Sequence, residues 1–344
     1  MASFPHFLHA ATRQKTQESN PSHHPASFSH KSPSILGSAD IEWWPASSNQ
    51  EGKSTSGATT LDVILLFIPG NPGLVEFYTE FLEDIHRVMN GAGTNLTIFA
   101  RGHIGHAPSL LPGNGTTWSI GLDSQVASTI ELYDSIRDTY GPDSKIVLAG
   151  HSVGAWIITQ VMHARPNTVA AAFLLFPTVS NIASTPNGRK LSWLFHRPIP
   201  SLISTFSRLL AFPPLSLIPH ALPYLPHFYS LPPSQFAVIK SLITSPHVAY
   251  STLTMAHDEM ITIGSLGSAP STVQATCERE RSKLYACFAA KDEWVGEEVE
   301  SVRRMLDESK VEVRDDDVPH AFCINHSALI AKTCAAWLRE IVAN

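Results

Sequence analysis

Lys145-Ile-Val-Leu-Ala-Gly-His-Ser-Val-Gly-Ala-Trp156 is the stretch on which the fold turns. Ile146 to Ala149 is a short apolar run, partly β-branched, of the length of a buried strand. Gly150-His-Ser-Val-Gly154 follows at once, and Ala155 to Ala164 reads as a helix. Strand, Gly-x-Ser-x-Gly, helix is the context in which this motif carries a mechanism. The turn is so tight that a side chain two residues to either side of the serine would collide, which calls for glycine at 150 and 154. Ser152 is thereby lifted clear of the sheet, and the backbone N–H groups opening the next helix face the same point.

Working outward, strands and helices alternate. Val63 to Ile68 is almost unbroken apolar sequence, suited to a central parallel strand covered on both faces. Pro69-Gly-Asn-Pro-Gly73 closes it, and Val75, Tyr78, Leu82, Ile85 and Met89 then recur at helical spacing. Leu96 to Ala100, Ala170 to Phe176, Leu284 to Ala289 and Val311 to Arg314 are further strands, with helical segments between them. This rhythm predicts βα units on a mostly parallel sheet. Arg101-Gly-His-Ile-Gly-His106 is expected to be a loop at the mouth of a pocket. The chain has 344 residues, 43% of them hydrophobic, and a net charge of −6. That is ample for one large core, and the mild charge points to no nucleic-acid partner. Four scattered cysteines without a Cys-x-x-Cys pair fit a reducing compartment. The first residues lack the apolar core of a secretory signal. Residues 1–56, rich in Ser, His, Pro and Asn, are expected to be a disordered polar segment, with Ile41-Glu-Trp-Trp44 as a first edge strand. Residues 57–344 form the folded domain.

That domain carries an insertion at about residues 180–260. From Ser144 to His257 there is no Asp or Glu, and eleven of the chain's 25 prolines fall between Pro186 and Pro246. Proline at this density forbids long helices around Pro213 to Pro233. Two readings follow: an apolar cap that packs on the core, or one that also lies on a lipid surface. Apolar side chains accompanied only by Arg189, Lys190, Arg197, Arg208 and Lys240 favour the second. No run approaches the length of a spanning helix.

A serine hydroxyl needs a base, and the base needs an acid to fix its tautomer. In this fold type the chain order is Ser, Asp or Glu, His. Asp292 follows one strand and His320 the next, so both emerge at the sheet edge that carries Ser152. Glu293, Asp258 and His326 are the rivals. Asn71, which unlike Pro72 has an N–H, and Val153 are the candidate oxyanion donors. Ser152 excludes chemistry that requires a carboxylate at the elbow.

Pro-Gly-Asn-Pro-Gly with Phe77-Tyr78, Gly-His-Ser-Val-Gly-Ala, Asp-Glu-Trp-Val and Val-Pro-His-Ala-Phe together resemble the lipid droplet-associated hydrolase family, over about residues 60 to 342. Asp258-Glu-Met260 resembles a further element of that family. The resemblance implies an α/β-hydrolase fold, a mostly parallel sheet flanked by helices with the apolar, proline-rich cap inserted. It also implies Ser152, Asp292 and His320 as catalytic residues and a sterol ester or other lipid ester as substrate. The expected location is the lipid droplet, with the endoplasmic reticulum or cytosol as further sites. The mechanism requires no cofactor and no metal. The rival function is a droplet-surface or lipid-binding protein with this fold and little turnover.

Overall fold

The computed structural model describes residues 4–11, 22–46, 62–111, 118–222, 230–266, 271–315 and 317–343. Nine strands form one sheet in the order β1-β2-β3-β5-β4-β6-β7-β8-β9. They are β1 (Leu8–Ala10), β2 (His24–Ser29), β3 (Ser38–Trp44), β4 (Val63–Ile68), β5 (Leu96–Arg101), β6 (Lys145–His151), β7 (Ala171–Leu175), β8 (Leu284–Ala289) and β9 (Val311–Arg314). From β5 to β9 every pairing is parallel, and β1, β2 and β3 add an antiparallel edge.

The continuous apolar run of β4 is explained by its two covered faces. Ile64, Leu66 and Ile68 join the core under α2 (Leu122–Tyr140) and α3 (Val153–Ala164). Val63, Leu65 and Phe67 join the core under α1 (Thr79–Gly91) and the last helix, Ser327–Ala343. Between α3 and that last helix the chain forms α4 (Pro186–Leu191), α5 (Ile199–Leu209), α6 (Ile218–Ala221), α7 (Pro233–Thr244), α8 (Pro246–Thr262), α9 (Thr272–Glu280) and α10 (Glu298–Arg304), which makes Ser327–Ala343 α11. Helices α4 to α8 are the cap, inserted between β7 and β8.

The opening segment departs from its expected disorder. Within residues 1–56, β1 to β3 are ordered, and Ile41-Glu-Trp-Trp44 lies inside β3, paired on both sides rather than at an edge. Residues 1–3, 12–21 and 47–56 lie outside the described residues. Phe7, Phe28, Ile41 and Trp43 enter the main core. A few aromatic residues at alternating positions, held by antiparallel pairing, bury what the polar composition conceals.

Candidate active site

Between β6 and α3, Ser152 has φ 55° and ψ −123°. A non-glycine residue held in this left-handed region stores strain of order 1–3 kcal/mol. The crossing is close enough to demand glycine on each side. A methyl group on Gly150 would lie 2.4 Å from the carbonyl of Gly154, and one on Gly154 would lie 2.2 Å from the Ile68 oxygen.

The catalytic elements expected from sequence meet here. His320 Nε2 is 3.0 Å from Ser152 Oγ, and His320 Nδ1 is 2.7 Å from Asp292 Oδ2. Asp292 follows β8, and its other oxygen accepts from the Trp294 and Val295 backbone N–H groups at 2.8 and 3.3 Å. Both amides point a fixed dipole at the carboxylate and hold the oxygen that faces His320 in place. Thr178 Oγ1 stands 3.4 Å from Ser152 Oγ. The rivals are engaged elsewhere. Asp258 accepts from the Leu122 N–H at the start of α2, Glu293 is exposed, and His326 makes no hydrogen bond to Ser152 or Asp292, its backbone N–H being bonded to the Phe322 carbonyl ahead of α11.

Behind the triad lies a relay that sequence reasoning missed. The Gly70 N–H donates to Tyr78 Oη at 3.2 Å, and Tyr78 Oη lies 2.7 Å from His151 Nδ1. His151 Nε2 lies 2.9 Å from the His320 carbonyl. The His320 carbonyl can only accept, so His151 carries its proton on Nε2, and Nδ1 of the neutral ring accepts from the Tyr78 hydroxyl. Burial drives the His151 pKa well down and His320 lowers it further, so the ring stays neutral in this role. His151, the variable residue of Gly-x-Ser-x-Gly, thus ties the backbone of His320 to the β4–α1 loop. Two aromatic rings flank it, with Phe322 at 5.1 Å and Phe176 at 6.0 Å.

The β4–α1 loop is pinned on three sides. A methyl on Gly70 would come within 2.8 Å of Ser152 Cβ, so the loop packs directly against Ser152. The side chain of Asn71 donates to the Thr252 carbonyl at 3.0 Å and to Glu259 Oε1 at 2.8 Å, both on α8. Its amide group is therefore engaged with the cap, and any part it takes in oxyanion binding falls to its backbone N–H. Glu259 is buried, and loss of water, with a smaller push from the Asp258 charge, raises its pKa to about 8. The histidines of Arg101-Gly-His-Ile-Gly-His106 do not line a mouth, as expected from sequence, but pack fully buried behind this loop. His106 Nδ1 lies 2.6 Å from the Pro72 carbonyl, and burial lowers its pKa to about 4. Gly73 has φ 79°, and a side chain there would strike His103 and His106.

The arrangement resembles solved hydrolases in fold. A peroxisomal α/β-hydrolase from Saccharomyces cerevisiae superposes with a TM-score of 0.62 at 13% identity, over 97% of this chain and 88% of that one. A haloalkane dehalogenase from Agrobacterium tumefaciens superposes at 0.52 and 13%, over 93% and 98%. Curated relatives are nearer in sequence. A lipid droplet-associated hydrolase of Drosophila melanogaster is 27% identical over 78% of this chain and 86% of its own length. One from Dictyostelium discoideum is 23% identical over 83% and 90%. The family model for lipid-droplet associated hydrolases matches residues 62–323, which hold the elbow, Asp292 and His320, and the chain belongs to that family.

Proposed function

We propose that the protein is a serine hydrolase that cleaves carboxylic esters of lipids, of sterol ester or acylglycerol type, at the surface of lipid droplets. The observation that carries this reading is the continuous Ser152–His320–Asp292 hydrogen-bond chain of 3.0 and 2.7 Å at a strained elbow. His320 takes the Ser152 proton as the hydroxyl attacks the ester carbonyl, and Asp292 holds the imidazole with its Nδ1 protonated. The backbone N–H groups of Asn71 and Val153 stabilise the oxyanion. His320 returns the proton to the departing alcohol, leaving an acyl-serine. Water, activated by the same histidine, then releases the acid.

The droplet surface is supported by the family and by the cap. Trp193, Leu202, Leu209, Phe212 and Leu217 are exposed, from 46% to 68%, along one stretch that carries the exposed Arg197 and Arg208. No helix among the described residues is long and apolar enough to cross a membrane. Contact is therefore with one face of a lipid layer.

Fluorophosphonate labelling tests the chemistry. The native protein should label and should hydrolyse at least one of a graded series of lipid esters, while Ser152→Ala should do neither. A labelled Ser152→Ala variant would move the nucleophile elsewhere. Labelling without turnover of any ester would favour a lipid-binding surface protein.

A further inference from the structure

We propose that a cavity inside the cap is the seat of a single aliphatic chain, the acyl chain of the ester attacked by Ser152; the assignment to an acyl chain rests on the function proposed above. The cavity has a volume of about 440 Å³ and lies among α5, α6, α7 and α8. That is the size of a small-molecule site rather than a packing defect. Phe206, Leu210, Ile239, Leu242, Ala249 and Leu253 shape it. Among its described lining residues none is charged, and Ser207 and Thr252 supply the only polar side chains. Two hydroxyls, of which Thr252 Oγ1 has no partner among the described residues, are too few to compensate the desolvation of a headgroup, a sugar or an ion. A hydrocarbon chain asks for no polar partner from these walls, and each methylene moved out of water strengthens binding by about fourfold. At close packing a methylene fills roughly 25 Å³, so the space accommodates a chain on the order of 12–16 carbons.

Two further observations bear on how a chain would enter and where its reactive end would lie. The lining residues Phe206 and Ile218 are 51% and 41% exposed, whereas Leu210 and Ala249 are buried at 5% and 8%. The cavity is therefore entered from the exposed apolar side of the cap and deepens inward. On the inner side its wall includes Thr252, whose carbonyl accepts from the Asn71 side chain. Asn71 adjoins Gly70, and Gly70 touches Ser152. The wall of the chain site and the nucleophile thus share one loop. On this proposal the carboxyl end of a chain seated in the cap lies against this loop.

The test uses the full chain, without lipid vesicles, and a long-chain polyene fatty acid whose fluorescence rises on leaving water. Native protein and Ser152→Ala should both bind the probe. Ala249→Trp, which fills the cavity from α8, should weaken binding by about tenfold or more. The same variant should raise KM for a hexadecanoyl ester by a similar factor, and by clearly less for a butanoyl ester. Ile239→Trp, which fills it from α7, serves as the second variant and decides the matter if Ala249→Trp loses its native circular dichroism. Probe binding unaffected by either folded variant overturns the proposal. So does binding by the native protein only when vesicles are present, since the cavity would then be part of a flat lipid contact. If no ester is turned over at all, the esterase reading fails, and fatty-acid binding with its loss in the filled variants still decides the cavity.

Discussion

His320 and His326 lie on one short segment, yet only His320 reaches Ser152, because it leaves the loop after β9 at the carboxyl edge of the sheet. His320→Ala should lower kcat about 10³-fold or more, like Ser152→Ala, while His326→Ala should stay within about threefold. Equal losses at both histidines would refute this assignment. Glu259 gives a second prediction. Its folded pKa of about 8 lies above the ordinary 4.5, so the native state holds a proton that the unfolded chain releases. The stability linked to this group is fully present below about pH 4.5 and is lost as pH rises through about 8. At about 1.4 kcal/mol per unit, the loss is on the order of 3–5 kcal/mol by pH 9. Glu259→Gln keeps a carbonyl oxygen for the Asn71 side chain and cannot ionise. It should match the native melting temperature near pH 4 and exceed it at pH 9, and a gap that does not widen with pH would refute the argument. Ser152, Asp292 and His320 were legible in sequence because each follows a recognisable strand in a fixed chain order. Tyr78, His151 and Glu259 were not. Their partners come from distant parts of the chain, and neither spacing nor composition records a hydrogen bond between an elbow and a loop.

Among the elements, the central strands announced themselves through apolar runs such as Val63 to Ile68, since burial on both faces leaves no polar positions. The β1–β3 edge did not. In β2, His24-Pro-Ala-Ser-Phe-Ser29, Ala26 and Phe28 are buried while the residues between and around them are partly exposed. So few apolar positions in a polar segment look like disorder until pairing with β3 lines them up. If this edge is integral to the domain, Phe28, 1% exposed in the main core, should be costly to truncate. Phe28→Ala should destabilise by about 3–5 kcal/mol. Urea unfolding would measure it, and a loss below about 1 kcal/mol would mean that the edge folds independently of the domain. The cap was legible only in outline. Its crowded prolines spoke only against long helices around Pro213 to Pro233, where α6 is brief. Which faces of its longer helices turn inward is set by neighbours. Leu210 is buried at 5%, whereas the adjacent Leu209 is 46% exposed, and composition gives both the same weight.

At the scale of the molecule, the hydrolase body and the cap proposed to face lipid make separable demands, so one can be altered while the other is read. Trp193, Leu202, Leu209 and Leu217 are exposed between 46% and 68%, and none lines the cap cavity. Each would gain on the order of 1–3 kcal/mol on moving from water into acyl chains. The exposed Arg189, Lys190, Arg197 and Arg208 are attracted to an anionic lipid surface, and no carboxylate in the insertion before Asp258 opposes them. A fluorescent fusion should therefore concentrate on lipid droplets. Replacing those four apolar residues with Ser removes several kcal/mol of transfer energy and should lower the droplet-to-cytosol ratio at least about tenfold. Because these side chains are exposed, the substitution should leave fluorophosphonate labelling of Ser152 intact, which certifies that the body still folds. Replacement of Leu210 would confound the two effects, since it is packed inside the cap. Retention on droplets by the labelled variant would place targeting outside this surface. Release together with preserved labelling would identify the cap as the element that brings the elbow to its lipid.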